Sequence, residues 1–138
     1  MIPRILFIDG DIQVLGALRA GLKDLEGEWE MVFAEGTAKA MGWLRDDEFD
    51  VCVVDADAPG VNVNSMLSHL AENYPQTVRI VISESDQALQ YSRRMKAAHF
   101  GIKKPCPRET FVETIRNAHG LHRMLWRETH ELTLGDLR

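Results

Sequence analysis

Three short apolar runs, each ending on a polar residue, constrain this chain more than any other feature. Arg4-Ile5-Leu6-Phe7-Ile8 ends at Asp9, Asp50-Val51-Cys52-Val53-Val54 at Asp55, and Val78-Arg79-Ile80-Val81-Ile82 at Ser83. Compact runs rich in β-branched residues read as strands buried on both faces of a parallel sheet. Trp29 to Ala34 and Phe100 to Lys103 are weaker runs, better suited to sheet edges.

Helical patterns fill the intervals. Asp11 is placed to cap a helix bearing Leu15, Leu18, Leu22 and Leu25, with Gly27 as its stop. Thr37 is the candidate cap of a second helix carrying Met41 and Leu44. Asn62 or Asn64 opens a third with Leu67, Leu70 and Tyr74, stopped by Pro75. A fourth is expected over Gln87 to Ala98 behind Asp86. Pro107 suits the first turn of a fifth, with Phe111, Ile115, Ala118 and Leu125 along one side. Five alternations of strand and helix predict an α/β fold, a doubly wound parallel sheet with helices on both faces. At 138 residues and 45% hydrophobic, the chain is expected to form one domain over residues 1–120. Residues 121–138 are expected to be a helical extension or linker.

Composition excludes several function classes. A net charge of −5 gives no support to nucleic-acid binding, which relies on clustered Lys and Arg. No apolar run reaches membrane-spanning length, and Met1-Ile2-Pro3-Arg4 leads directly into a strand without a signal-peptide pattern. Cys52 and Cys106 are too few for a disulfide framework, so two reduced thiols and a cytoplasmic location are expected.

In an open doubly wound sheet, ligands bind outside the carboxyl ends of the strands. Asp9, Asp55, Ser83 and Lys104 follow the first, third, fourth and fifth runs, so two carboxylates, a hydroxyl and an ammonium are expected at one cleft. That set suits acyl-phosphate chemistry. A carboxylate can attack phosphorus, a hard cation can neutralise phosphoryl oxygens, and lysine and hydroxyl can stabilise the charge of the transferring group.

With these residues in place, the chain resembles the receiver domains of two-component response regulators, related to the chemotaxis response regulator. The resemblance rests on Ile5-Leu6-Phe7-Ile8-Asp9, Asp50-Val51-Cys52-Val53-Val54-Asp55, Pro59 and Lys104-Pro105. It covers roughly residues 4–120. Arg79-Ile80-Val81-Ile82-Ser83, Ala98-His99 and Lys104-Pro105-Cys106 are similar in particular to receivers ahead of HDOD or HD-GYP outputs. It implies the flavodoxin-like fold with five parallel strands in the order 2-1-3-4-5. It also implies that Asp55 accepts a phosphoryl group from a histidine kinase or phosphotransfer protein, with Ser83 and Lys104 contacting that group. Mg2+ would be held by Asp9, Asp55 and the backbone carbonyl of Asp57. The role is signalling, towards an output domain or downstream protein, and not metabolic catalysis.

The sequence also departs from the family's pattern. Where two consecutive acids are usual, this chain has Asp9-Gly10-Asp11. Gly10 offers no ligand, so Mg2+ binding is expected to be weak, with Asp11 as the nearest substitute, and an acid restored at position 10 is expected to strengthen it. Val63 stands where a glycine usually follows the proline loop, and Glu84 where a small residue follows Ser83. Gly101 replaces the aromatic switch residue three places before the lysine, and Phe100, shifted by one, faces the other side of its strand. The alternative reading is a degenerate pseudo-receiver, a protein-interaction module independent of phosphorylation.

The remaining candidates are structural. His69, His99, His119, His122 and His130 lack the spacing of a metal set, and His99 is expected to pack locally. Arg93, Arg94 and Lys96 read as a solvated helix face. In the tail, Leu121, Met124, Leu125 and Trp126 are expected to outlast the domain's own core, which predicts a homodimer through the C-terminal helix.

Overall fold

The computed structural model describes the backbone of residues 2–136 and the side chains of residues 2–127. Five strands form, β1 (Arg4–Asp9), β2 (Glu30–Glu35), β3 (Val51–Asp55), β4 (Val78–Ser83) and β5 (Phe100–Lys103). All pair in parallel, in the order β2-β1-β3-β4-β5. The helices are α1 (Ile12–Gly21), α2 (Gly36–Asp46), α3 (Val63–Asn73), α4 (Asp86–Arg94) and α5 (Arg108–Asp136). This is the expected flavodoxin-like receiver architecture.

Arg4 and Arg79 apart, the central strands are apolar up to their carboxyl ends because each face of the sheet has its own core. Ile5, Phe7, Val51, Val53, Val78 and Ile80 pack with Leu15 and Leu22 of the α1 region and with Phe111, Ile115 and Ala118 of α5. Their neighbours Leu6, Ile8, Cys52, Val54 and Val81 turn the other way, onto Ala40 and Leu44 of α2 and Met66, Leu67 and Leu70 of α3. Alternation of side chains across each strand divides one apolar run between two cores.

Local chemistry starts the helices. The carboxylate of Asp11 accepts from the Gln13 amide, Asn62 from Ser65 and Ser85 from Ala88. Several boundaries differ from expectation. α1 ends at Gly21, and a short 3₁₀ turn over Lys23–Leu25 still buries Leu22 and Leu25, so Gly27 is not the stop. Thr37 does not cap α2. The cap position is Glu35, whose side chain makes no capping bond. The helix therefore starts two residues earlier than a Thr37 cap implies, at the left-handed Gly36 (φ +83°), and the Thr37 hydroxyl reaches the Gly60 carbonyl at 3.4 Å. α4 stops at Arg94, short of Ala98, because Lys96 takes a positive φ of 55° and the amides of Ala97 and Ala98 turn back to the Ser92 carbonyl. That turn delivers His99 to β4, where its Nδ1 accepts from the Arg79 amide at 2.9 Å. Buried Arg79 donates in turn to the carbonyl of Ala97 at 2.7 Å. Burial, with the nearby Arg79 charge, lowers the His99 pKa to about 4, so the ring is neutral and serves as an acceptor.

Helix α5 continues through Asp136, well past the sheet. Leu121 and Leu125 do not lie beyond the core, as the sequence suggested. Both are partly buried against the first core cluster, because helical spacing keeps them on the stripe begun by Phe111, Ile115 and Ala118. Met124 and Trp126, on other faces of the helix, are 59% and 50% exposed. His130 and Leu132 lie in α5 but outside the described side chains, and Leu137 lies outside the described residues.

His122 pins this helix to the opposite end of the sheet from the strands' carboxyl termini. Its Nδ1 lies 2.8 Å from the Gln76 carbonyl and its Nε2 lies 3.1 Å from an Asp50 carboxylate oxygen. Both ring nitrogens face acceptors, so the protonated ring, with a donor on each nitrogen, satisfies both. The hydrogen bond to Asp50 raises the His122 pKa despite burial. Burial pushes Asp50 up, but its bonds with His122 and the Arg4 amide outweigh this and hold it low. A raised histidine pKa stabilises the fold fully below the unfolded value of about 6.5 and ceases to do so as pH rises through the folded value. The lowered Asp50 pKa makes the complementary contribution above about 3.9. The stability difference between the wild type and His122→Gln, read as urea midpoints, should therefore be largest near about pH 5 and shrink towards alkaline pH. A difference unchanged across that range would mean that the ring is held by packing alone.

Candidate functional site

Parallel pairing in register brings the strands' carboxyl ends to one edge, with Ile8 opposite Val54, Asp55 opposite Ile82 and Ser83 opposite Lys103. Asp9, Asp55 and Ser83 are each buried. Lys104 follows β5, its amide donates to the Ser83 carbonyl at 2.9 Å, and its peptide bond to Pro105 is cis. Its ammonium Nζ lies 3.0 and 2.8 Å from the two carboxylate oxygens of Asp55 and 3.2 Å from an oxygen of Asp57. The four residues expected at one cleft are thus together. Asp9, Asp55 and Lys104 border a cavity of about 420 Å³, also lined by Asp11, Pro59, Phe7, Leu15 and Phe111. A larger cavity, about 810 Å³, lies at the opposite edge of the sheet around Asp50, His122 and Trp126. The carboxylate and imidazole that it holds, Asp50 and His122, are those of the α5 tether.

The Asp57 side chain was not anticipated, since only its backbone carbonyl was assigned a role. Its Oδ1 accepts from the Ser83 hydroxyl at 2.7 Å and its Oδ2 from the Glu84 amide at 2.7 Å, besides its pairing with Lys104. The Asp57 amide donates to Asp55 Oδ1 at 2.9 Å. The signal in the sequence was the spacing of Asp55-Ala56-Asp57, which returns a second acid to the strand end two residues after the first. Glu84 contributes its amide to this arrangement.

The electrostatics follow from these contacts. Burial raises the pKa of Asp9, and the neighbouring Asp55 carboxylate adds to this, while the Asp11 amide and Lys104 pull it back. Burial also pushes Asp57 up, but the bonds from Ser83, Glu84 and Lys104 overcome it and leave the carboxyl below its ordinary range. Lys104 is lowered by burial and raised more by Asp55 and Asp57, so it stays an ammonium. Three acids therefore share one lysine.

The response regulator receiver domain family matches residues 5–116. This chain belongs to that family. No curated protein sequence matches it closely enough to infer kinship. Among solved structures, one titled adenylate cyclase from Rhodopirellula baltica superposes with a TM-score of 0.87 at 18% identity, over 96% of this chain and 98% of that one. The signal receiver domain of an HD domain-containing protein from Pseudomonas fluorescens Pf-5 gives 0.80 at 21% identity, over 90% and 99%. The response regulator TrrA from Thermotoga maritima, in complex with Mg2+ and BeF, gives 0.73 at 17%, over 85% and 99%. At such identities the likeness concerns the fold.

Within this receiver domain, the departures of sequence have structural counterparts. Phe100 packs with the first core cluster, and Gly101 faces the other side, where Leu89 of α4 closes over it; a Cβ on Gly101 would meet Leu89 Cδ2 at 3.3 Å. Val63 begins α3 and packs on the second core, while the left-handed Gly60 (φ +77°) makes the loop's tight turn. The Asp11 carboxylate is engaged at the cap of α1, and its amide donates to Asp9 at 2.9 Å. Asp9 and Asp55 form a suitable acidic pair for a hard cation. Among the described residues, however, no three His, Cys, Asp or Glu side chains converge as a metal set.

Gly10 allows the β3–α3 loop to close on the strand end. A Cβ at this position would coincide with the Pro59 carbonyl. The expectation that an acid at position 10 would simply supply the missing ligand is therefore corrected, because backbone already fills the space a side chain needs. Gly10→Ala should destabilise the domain by about 1–3 kcal/mol through overpacking, as measured by chemical denaturation. A loss under about 0.5 kcal/mol, the usual scale of a neutral surface change, would show that the Pro59 segment yields freely.

Proposed function

We propose that this receiver domain accepts a phosphoryl group on Asp55 from the phosphohistidine of a histidine kinase or phosphotransfer protein. The observation that carries this reading is the Lys104 ammonium held across both oxygens of a buried Asp55. Asp55 forms the new O–P bond as the donor's P–N bond breaks. The departing imidazole keeps the electron pair and takes a proton from solvent. Lys104 remains protonated and balances the charge that gathers on the phosphoryl oxygens. Asp9, Asp55 and the Asp57 carbonyl would hold Mg2+, and the ion would supply further neutralisation of those oxygens. With one carboxylate fewer than a full set, affinity for it is low. Incubation with acetyl phosphate and Mg2+ should add one phosphoryl mass to the intact protein, and Asp55→Asn should abolish the addition. No addition to the wild type would favour the phosphorylation-independent interaction module, and addition to the variant would move the acceptor elsewhere.

The partners are a kinase or phosphotransfer protein on the input side and an output domain or downstream protein beyond α5. The likeness to a receiver from an HD domain-containing protein suggests one kind of output. A cytoplasmic setting follows from that partnership. A second copy of the chain is the expected partner of α5, whose continuation past the sheet leaves Met124 exposed. Light scattering at micromolar concentration should return a dimer for the full chain and a monomer for Met124→Glu. Monomers in both would remove the helix as a self-association surface.

A further inference from the structure

The donors at the cleft are already occupied. Ser83 Oγ, the Glu84 amide and Lys104 Nζ converge within 2.7, 2.7 and 3.2 Å on one carboxylate, that of Asp57. They come from β4, the loop after it and the residue following β5, and they point to a common spot beside Asp55. A hydroxyl, a backbone amide and an ammonium directed at one place form an oxyanion site. We propose that the Asp57 carboxylate is an intramolecular anion seated where the phosphoryl oxygens of phosphorylated Asp55 would sit. It thereby competes with phosphorylation and holds the β4–α4 connection in the position a phosphoryl group would impose. The inference rests on the reading of Asp55 as phosphoacceptor.

Three observations support it. First, both Asp57 oxygens are engaged, so the donors meet an anion and not solvent. Second, the nucleophile is covered as well. Asp55 Oδ1 receives the Asp57 amide and Lys104, and Oδ2 receives Lys104. An incoming phosphoryl group would find its donors in use and a negative charge in its place. Third, the Ser83 hydroxyl also accepts from the Ser85 amide at 3.0 Å, and Ser85 caps α4. The chain of bonds from Asp57 therefore reaches the start of α4 without any phosphorylation. Phosphoryl transfer makes and breaks the same bonds as before. Asp57 takes no part in them and has only to swing out.

The bland alternative is that Asp57 merely staples two loops, and two measurements on the full chain separate these readings. By NMR, the Glu84 amide should exchange slowly in the unphosphorylated wild type and at least about tenfold faster in Asp57→Ala, as expected when a charge-assisted hydrogen bond is lost. Labelling by acetyl phosphate with Mg2+ should be at least about tenfold faster in Asp57→Ala, the factor that 1.36 kcal/mol of barrier represents. Asp57→Asn, which keeps the shape and loses the charge, should lie between the two and serves if the alanine variant does not fold. Unchanged Glu84 exchange overturns the proposal, and so does labelling that is equal or slower in both variants. If no form of the protein is labelled, Asp55 is not the acceptor, and with it the competition falls, whereas unchanged exchange with normal labelling removes Asp57 alone.

Discussion

The parallel register of the three buried strands is the constraint on which everything else depends. Strands β1, β3 and β4 are paired so that Ile8 lies opposite Val54 and Asp55 opposite Ile82. Each is largely apolar along its length, because both faces of the sheet are covered. Buried Arg79 near the start of β4 is tolerated there because its guanidinium reaches the Ala97 carbonyl. Acidic and hydroxyl groups gather where the strands leave the core, and in a parallel sheet the strands' carboxyl ends lie on the same side. The cleft is that edge of the core.

Collecting them has an electrostatic consequence. Asp9, Asp55 and Asp57 gather around the single ammonium of Lys104, and burial of Asp9 and Asp55 removes much of the water that would screen their repulsion. The acids resolve the conflict in different ways. Asp55 takes both its oxygens to Lys104, Asp57 takes backbone and hydroxyl donors from the next strand, and Asp9 has the Asp11 amide. Asp9 is the least well served, and its raised pKa reflects this. A divalent cation beside Asp9 and Asp55 would relieve the same imbalance.

The elements legible in the sequence were those written in hydrophobic pattern. Strand positions and the caps at Asp11 and Asn62 follow from the apolar runs and local side-chain chemistry, and so does the meeting of Asp9, Asp55, Ser83 and Lys104. The sheet order came only with the family resemblance. Features decided by backbone conformation were not legible. Lys96 adopts a left-handed φ that no pattern announces and so ends α4 early, and the left-handed Gly36 opens α2 behind Glu35, ahead of Thr37. Leu121 and Leu125 lie past the residues the family pattern covers, yet helical spacing keeps them on the stripe of Phe111, Ile115 and Ala118, so the core extends further along α5 than that pattern. The role of the Asp57 side chain depends on a rotamer pointing across the cleft to the next strand, and sequence spacing does not encode rotamers.

The close approach of the Pro59 backbone to Gly10 ties the residue at position 10 to the course of the β3–α3 loop. Any side chain at position 10 requires that loop to retreat, whatever side chain position 59 carries. A change from this cleft to one with two adjacent acids therefore involves the path of the β3–α3 backbone as well as the residue at position 10.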